Sequence, residues 1–288
     1  MILPSFDYHA PTTLDDAVAL LGQFGEEAKV LAGGHSLLPM MKLHFAEPGH
    51  LIDLNRIQDL RGIRERRGVI HIGAMATEND LIASELLRDK CPLIPEAAKL
   101  IADPQVRNCG TIGGDIAHGD PANDHPAIMI VLEASFVLKG PSGERTVAAD
   151  DFFLGIFDTR LEPDEILSEI LVPVVPSHSG HAYCKLKRKI GDFATAAAAV
   201  QLQVKKKVCK SINIALTNVG PTALKATEAA QVLTGQTINE ALIETAAQKA
   251  MAICKPAEDQ RGDIEYKRHM AGEMTRRAIR LALERAGG

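Results

Sequence analysis

Hydrophobic and polar positions in the first quarter of the chain alternate between helical and extended patterns. Residues 13–16, Thr-Leu-Asp-Asp, have the form of a helix N-terminal capping box, and an apolar helical face follows them. Apolar runs at 29–32 and 50–53 predict two short buried strands, and residues 36–42 predict a helix between them. This pattern indicates a small αβ unit.

A second unit contains more elements of the same kinds. Residues 69–73 predict a strand, and Thr77 is placed to cap the helix that follows. Residues 103–124 are dense in Gly, Asp, Asn and Pro and therefore predict a long loop. A loop of about 20 residues inside a compact domain usually serves a function. The other segments of this unit are predicted helices at 92–101 and 126–133 and strands of a mixed sheet at 135–138, 145–147 and 166–172.

The pattern changes after residues 173–180, which are rich in Pro, Ser and Gly and predict a linker. Three extended runs follow at 181–189, 194–205 and 208–218, and then helical segments at 224–233, 238–254 and 266–285. Strands followed by helices predict a separate α+β lobe. We therefore expect an α+β protein with three parts, at residues 1–57, 58–176 and 177–288.

Composition narrows the class of function. The chain has no Trp, three Tyr and a net charge of −5, which argues against nucleic acid as a partner. The N-terminus lacks the features of a signal peptide, and no apolar run is long enough for a membrane helix. The five cysteines are scattered, which is typical of reduced thiols in a cytoplasmic protein. We assign no metal site and no catalytic side chain, because ligand spacings and nucleophile–base sets are missing.

The first candidate binding motif is Ala-Gly-Gly-His-Ser-Leu at residues 32–37, directly after a predicted strand. Two adjacent glycines allow positive φ and leave room for a ligand, so successive backbone N–H groups can point at one anion such as a pyrophosphate. A tight turn without a ligand is the alternative. The motif is neither a Rossmann fingerprint nor a P-loop, and it lacks the lysine of a nucleotide hydrolase.

The second candidate motif is Thr-Ile-Gly-Gly-Asp at residues 111–115. Here we expect Thr111 to offer a hydroxyl, the glycines unhindered N–H groups, and Asp115 a carboxylate suited to sugar-like hydroxyls. Asn123 and Asp124 lie in the same turn-rich segment, and they either touch the ligand, cap the next helix, or do both. Two such motifs predict a cleft that holds an extended dinucleotide from both sides.

These motifs resemble the FAD-binding subunits of the molybdenum hydroxylases, a branch of the vanillyl-alcohol-oxidase (PCMH) type of flavin fold. Segments 32–42, 101–107, 119–124 and 185–199 are most similar to the medium subunits of aerobic carbon monoxide dehydrogenases, and the resemblance runs from Phe6 to about Arg285. It implies a two-subdomain FAD-binding fold with a C-terminal α+β lobe. It also implies a cytoplasmic dimer of heterotrimers, with molybdenum and [2Fe-2S] clusters on partner subunits.

The resemblance implies as well which residues bind FAD. We expect a contribution from Ala32, Gly33, Gly34, His35, Ser36, Leu37, Thr111, Ile112, Gly113, Gly114, Asp115, Asn123, Asp124, Lys185 and Phe193. Two of these depart from the family pattern, because many relatives have Asn in place of Asp115, and close relatives often have Tyr in place of Phe193.

The last two candidates belong to the C-terminal lobe. Lys185 lies in the compact basic cluster 185–189, where alternation puts Lys185, Lys187 and Lys189 on one side. The cluster is either a solvated strand face or a source of positive charge near the reduced flavin ring, most plausibly from Lys185. Phe193 either covers the face of the ring or packs in the core.

The function expected from these observations is electron transfer. Electrons from a partner's molybdenum would pass through iron–sulfur clusters to FAD and then to a quinone-type acceptor, with peripheral contact to the inner membrane. A self-sufficient FAD-dependent oxidoreductase and a non-catalytic dinucleotide-binding protein are the two alternatives.

Overall fold

The computed structural model describes residues 2–287 and begins with a small parallel sheet. Its strands are β1 (Asp7–His9), β2 (Ala28–Leu31) and β3 (His50–Asp53), in the order β1-β3-β2. Helices α1 (Leu14–Phe24) and α2 (Leu37–Lys42) connect them. Thr13 caps α1 by accepting the N–H of Asp16 at 3.2 Å, as the sequence predicted.

The second unit is built on an antiparallel sheet of five strands. Its strands are β4 (Ile63–Arg66), β5 (Val69–Gly73), β6 (Ser135–Gly140), β7 (Gly143–Ala148) and β10 (Ile166–Pro173). A separate small hairpin of β8 (Phe153–Gly155) and β9 (Asp158–Thr159) precedes β10. Their order is β4-β5-β10-β6-β7, so the last strand of the unit lies at the centre of the sheet. The helices are α3 (Glu78–Ala83), α4 (Glu85–Lys90), α5 (Leu93–Ala98), α6 (Pro104–Cys109), α7 (Ile112–His118), α8 (His125–Val131) and α9 (Ala149–Phe152).

The prediction of one long loop over residues 103–124 was wrong, because this segment contains α6 and α7. Asp103 caps α6 by accepting the N–H groups of Gln105 and Val106 at 2.9 and 3.0 Å, and Pro104 follows at the first helical position. Thr111 caps α7. Asp103, one of the polar residues that indicated a loop, is therefore a helix cap. The helix predicted at 92–101 is also shorter and ends at Ala98.

The C-terminal part is an antiparallel sheet covered by helices. Its strands are β11 (Ser179–Leu186), β12 (Ala196–Lys205), β13 (Val208–Thr217) and β14 (Leu224–Lys225), and its helices are α10 (Thr227–Leu233), α11 (Glu240–Ala252) and α12 (Ile264–Arg285). The predicted meander and the α+β class are confirmed. A helix beginning at Leu224 was wrong, since that residue pairs with Leu216 in the sheet.

The alanine-rich start of β12 joins the second and third parts. Ala197 and Ala199 belong to the core of the five-stranded sheet, whereas Ala196 and Ala198 belong to the core under α12. Small side chains on both faces let both layers approach the strand closely. Because the two cores share this strand, the division at residues 176/177 stays a prediction. No helix within residues 2–287 is both long and apolar enough to span a membrane.

Candidate functional site

The first motif forms the turn between β2 and α2 and presents a run of free backbone donors. Gly34 has a φ of +75°, a conformation that favours glycine. None of the hydrogen bonds within residues 2–287 uses the backbone N–H groups of residues 33–37. His35 and Ser36 are exposed, and the remaining residues of the turn are half-buried. Five consecutive amides are thus available to an anionic ligand, as the sequence predicted.

The second motif is the N-terminus of α7, and its amides are already paired. Ile112 and Gly113 donate to the carbonyl oxygens of Ala76 and Ala74 at 3.0 and 2.9 Å, and Gly114 donates to Thr111 Oγ1 at 3.1 Å. The expectation that these glycines offer unhindered N–H groups was therefore wrong. A Cβ on Gly113 would lie 2.5 Å from the Cβ of Ala74, so this glycine serves close packing.

The two motifs meet where their glycines face each other. A Cβ on Gly33 would lie 2.3 Å from the carbonyl oxygen of Cys109, one residue before Gly110. A Cβ on Gly114 would lie 3.5 Å from the Cβ of Ala32. The fold thus brings together two segments that are about eighty residues apart in the chain, while the cleft that holds a dinucleotide stays a prediction.

Asp115 follows the second motif and has an unsatisfied carboxyl oxygen. Its Oδ1 is buried and has no hydrogen-bond partner within the described chain. Burial, together with the carboxyl groups of Glu78 and Asp124, raises the pKa of Asp115 to about 8 against the opposing charge of His125. Asn123 contacts α7 by donating from Nδ2 to the backbone oxygen of Asp115 at 2.9 Å.

Asp124 precedes α8, but its side chain does not cap that helix. Its Oδ2 accepts from Lys185 Nζ at 2.6 Å, with both side chains almost fully buried, and its Oδ1 accepts from the hydroxyl of Tyr183. The capping alternative is therefore wrong for Asp124. Burial and the neighbouring Asp124 raise the pKa of Tyr183 well above its usual range. Tyr183 was missed by sequence reasoning, although it lies two residues before Lys185 in β11 and therefore on the same face of the strand.

The basic cluster 185–189 is divided by the end of β11. Lys185 and Lys187 lie on one side, and both donate to the carbonyl oxygen of Leu100 at 3.3 Å. Lys187 and Lys189 both lie beyond the strand, and Lys189 is exposed, so only two of the three lysines share one side as predicted. Burial and the charge of Lys185 lower the pKa of Lys187. The solvated-face alternative is wrong for Lys185, which is almost fully buried.

Phe193 is 45% exposed, so the core alternative is wrong for this residue. The guanidinium of Arg261 lies over its ring at 5.6 Å from the centroid. Arg261 also contacts Asp192 at 2.7 Å, and Arg188 contacts the same carboxylate at 3.0 Å. These two hydrogen-bonded arginines lower the pKa of Asp192 to about 2. Arg188 and Arg261 were not identified from the sequence.

Residues 100–110 connect these features. At one end, Lys185 and Lys187 contact Leu100, and a Cβ on Gly191 would lie 3.5 Å from the backbone of Ala102. At the other end, the segment meets Gly33. The groups beside this segment fit FAD. The free amides of the first motif suit a pyrophosphate, and the unsatisfied carboxyl oxygen of Asp115 suits sugar-like hydroxyls. The exposed ring of Phe193 and the ammonium group of Lys187 suit a flavin ring.

Sequence reasoning also missed a pair of buried ionisable residues, Glu78 and His125, which lie near Asp115. His125 Nε2 lies 3.0 Å from both carboxylate oxygens of Glu78 on α3. Burial opposes protonation of His125, but the charge and hydrogen bonds of Glu78 raise its pKa to about 9. Nothing in the sequence pattern links these residues. Within residues 2–287, no three His, Cys, Asp or Glu side chains are grouped so that they could hold a metal ion.

Comparison with known proteins places the whole chain in one family. A family model described as the FAD binding domain in molybdopterin dehydrogenase matches residues 4–175, and one described as the CO dehydrogenase flavoprotein C-terminal domain matches residues 181–282. The carbon monoxide dehydrogenase medium chains of Hydrogenophaga pseudoflava and Afipia carboxidovorans are 58% and 52% identical to this chain, each over 99% of both chains.

Solved structures agree with this assignment. Carbon monoxide dehydrogenase from Hydrogenophaga pseudoflava superposes with a TM-score of 0.98 at 59% identity, over 99% of both chains. Quinoline 2-oxidoreductase from Pseudomonas putida 86 superposes with a TM-score of 0.94 at 31% identity, also over 99% of both chains. The resemblance and fold expected from the sequence are confirmed. The chain belongs to the family of FAD-binding domains of the molybdopterin dehydrogenases, and its C-terminal part is a carbon monoxide dehydrogenase flavoprotein C-terminal domain.

Proposed function

We propose that the chain is the FAD-binding, electron-transferring medium subunit of an aerobic carbon monoxide dehydrogenase. The run of free backbone amides at residues 33–37 is the observation that carries this proposal. Full-length identity of 58% and 52% to two carbon monoxide dehydrogenase medium chains supports carbon monoxide as the substrate of the whole complex. When bound, FAD supplies the capacity to accept electrons from one centre and pass them to another.

In this proposal the chain binds FAD mainly with its backbone. The amides of residues 33–37 donate to the pyrophosphate, and the side chains of His35 and Ser36 flank it. Ala32, Ile112, Gly113 and Gly114 shape the contact between the two motifs, and Thr111 acts through its helix cap. Asp115 provides the hydrogen bond to a ribityl hydroxyl, because its Oδ1 lacks a partner within residues 2–287. Asn123 holds α7 in place.

The ring end of FAD is assigned to the C-terminal part. Phe193 offers an exposed aromatic face. The ammonium of Lys185 is compensated by Asp124, whereas no ion pair within the described residues involves Lys187. Lys187, rather than Lys185, is therefore the side chain whose positive charge favours a negatively charged reduced ring. The Lys185–Asp124 pair positions the end of β11, which directly precedes Lys187.

The partners follow from the family and from the relatives. One related structure is described as a Cu,Mo-CO dehydrogenase. We place molybdenum on a large subunit and [2Fe-2S] clusters on a small subunit, in a cytoplasmic dimer of heterotrimers. Bound FAD would supply the electrons for a quinone-type acceptor, and contact with that acceptor would bring the complex to the inner membrane as a peripheral protein.

The test is to purify the complex with its partner subunits and to compare two glycine variants. Gly34 and Gly68 have φ angles of +75° and +79°, and a Cβ on Gly68 meets nothing within 4 Å. Alanine at either position carries a similar backbone strain of about 1 kcal/mol. Gly34→Ala should lose FAD, whereas Gly68→Ala should keep it. Equal FAD content in both variants would contradict the assignment of the first motif.

Electron transfer is tested on the unmodified complex. Carbon monoxide should bleach the flavin absorbance of the complex, and the isolated chain should oxidise no organic substrate. Turnover by the isolated chain would favour a self-sufficient oxidoreductase. A complex that holds FAD without reducing it would favour a dinucleotide-binding protein without catalysis.

A further inference from the structure

The carboxyl group of Asp115 lies near ionisable side chains that are already paired with one another. Glu78 contacts His125 at 3.0 Å, and their side chains are 3% and 0% exposed. Asp124 contacts Lys185 at 2.6 Å, and their side chains are 5% and 2% exposed. Each of these pairs is neutral overall, so neither leaves a cation free for a third carboxylate.

Asp115 is half-buried as a residue, its Oδ1 is fully buried, and it has no partner of this kind among the described residues. Within residues 2–287 it forms no ion pair, and its buried Oδ1 accepts no hydrogen bond. The ionisable groups that face it are His125, Glu78, Asp124, Asp120 and Tyr183, and of these only His125 can carry a positive charge. Asp120 is half-buried, and its Oδ1 already accepts the N–H of Ala122 at 2.8 Å.

Two of the three neighbouring carboxyls are therefore contacted by a cation. His125 contacts Glu78 and Lys185 contacts Asp124, whereas neither of these cations contacts Asp115. A buried carboxylate without a cation is far less stable than the neutral acid. We infer that Asp115 is a neutral carboxylic acid in the working protein and binds the cofactor in that form.

The neutral acid suits the ligand of the proposed function, on which this inference rests. A protonated carboxyl offers one O–H donor together with acceptor oxygens, so it can pair with a hydroxyl that donates or accepts. It also adds no negative charge beside the pyrophosphate, which the adjacent first motif would hold. Ionised Asp115 would repel that pyrophosphate. The pKa of about 8 that burial produces at this carboxyl agrees with the neutral form at pH 7.

The consequence is a pH dependence of FAD binding. Only the protonated form binds well, so affinity is full below the pKa of the FAD-free protein and falls as the pH rises above about 8. The limiting slope is about tenfold per pH unit for one proton. Asp115→Asn replaces the acid with a neutral amide of the same shape. The affinity of this variant for FAD should therefore not vary with pH around pH 8.

The experiment uses the purified complex, stripped of FAD and reloaded, with the dissociation constant measured between about pH 6 and pH 10. We expect the wild type to lose affinity above about pH 8 and Asp115→Asn to show no such dependence on pH, whatever its affinity at pH 7. Asp150→Asn removes a carboxyl that pairs with Lys225 at the surface and should keep the wild-type slope. A flat wild-type profile, or an equal slope in Asp115→Asn, would overturn the inference.

Infrared spectroscopy tests the protonation state without FAD and without a variant. The FAD-free wild type at pH 7 should show the C=O band of a buried carboxylic acid that shifts with ¹³C-labelled aspartate and disappears above about pH 8. Absence of that band refutes the neutral acid even if Asp115→Asn fails to assemble. A wild-type complex that binds no FAD at all would instead refute the proposed function, and the infrared band would still decide the state of Asp115.

Discussion

Gly33 and Cys109 approach so closely that only a glycine fits at the first position. A Cβ on Gly33 would lie 2.3 Å from the carbonyl oxygen of Cys109 and 2.8 Å from Cα of Gly110. Both neighbours are backbone atoms, which cannot move as a flexible side chain would. This contact holds the first motif against the chain that leads into the second.

Gly33→Ala should therefore damage both stability and cofactor binding. Overpacking against backbone costs about 1–3 kcal/mol, and the shift it forces separates the two motifs. We expect a lower free energy of unfolding in chemical denaturation and loss of most FAD from the purified complex.

The matched control for this variant is Gly22→Ala in α1, where a Cβ would meet nothing within 4 Å. Alanine in a helix interior is favoured over glycine by about 0.5–1 kcal/mol, so this variant should be more stable and should keep its FAD. Equal stability of the two variants would show that the contact with Cys109 is not restrictive.

Removal of Lys185 should destabilise the chain strongly. Lys185→Met leaves Asp124 as a buried carboxylate without its cation, and breaking a buried pair in this way costs about 3–5 kcal/mol. The comparison is Lys249→Met, which removes an exposed pair with Glu228 and should cost less than about 1 kcal/mol. Chemical denaturation of both variants gives the two values, and similar losses would argue against a dominant buried pair.

Glu78→Gln should destabilise the protein most at low pH. The pKa of His125 is raised to about 9 in the fold, from about 6.5 when unfolded, so the stability contributed by this shift is complete below about pH 6.5. It is lost as the pH rises through 9. The difference in free energy of unfolding between wild type and Glu78→Gln should therefore be largest below pH 6.5 and narrow towards pH 9.

Glu65→Gln provides the control for this pH dependence, because the partner of Glu65 is Lys90 at 4.0 Å rather than a histidine. Its effect should not vary between about pH 6 and pH 9, since neither Glu nor Lys normally titrates there. A constant difference for Glu78→Gln over the same range would show that His125 does not gain its proton from this contact.

Arg261→Gln should weaken the loop that carries Phe193, and the effect should disappear in acid. The pKa of Asp192 is lowered to about 2, so the stability contributed by this shift is present above the unfolded value of about 3.9 and is lost as the pH falls through 2. The difference in free energy of unfolding between wild type and Arg261→Gln should be constant above about pH 4 and shrink below it. A difference that does not change between pH 4 and 2 would assign the role of Arg261 to its contact with Phe193 instead.

Local patterns were sufficient for most of the regular structure. The strands at His50–Asp53 and Val69–Gly73 have the predicted bounds, because each is a short apolar run between clear turn residues. Thr13 and Thr77 cap helices as predicted, since capping depends on residues within one turn. In contrast, α6 and α7 are short helices in a stretch rich in Gly, Asp, Asn and Pro, where the same polar residues indicate either caps or loops.

The sequence by itself determined most of the longer strands and helices, the two glycine motifs and the family, because these depend on the order of residues along the chain. Only the tertiary structure decided which amides are free, why Gly33 and Gly113 must lack a side chain, and which cation Asp124 pairs with. Asp124 and Lys185 are 61 residues apart, and the shared strand β12 helps bring them together. Charge balance inside a protein depends on such distant contacts, so the unpaired state of Asp115 becomes visible only when both neighbouring ion pairs are in place.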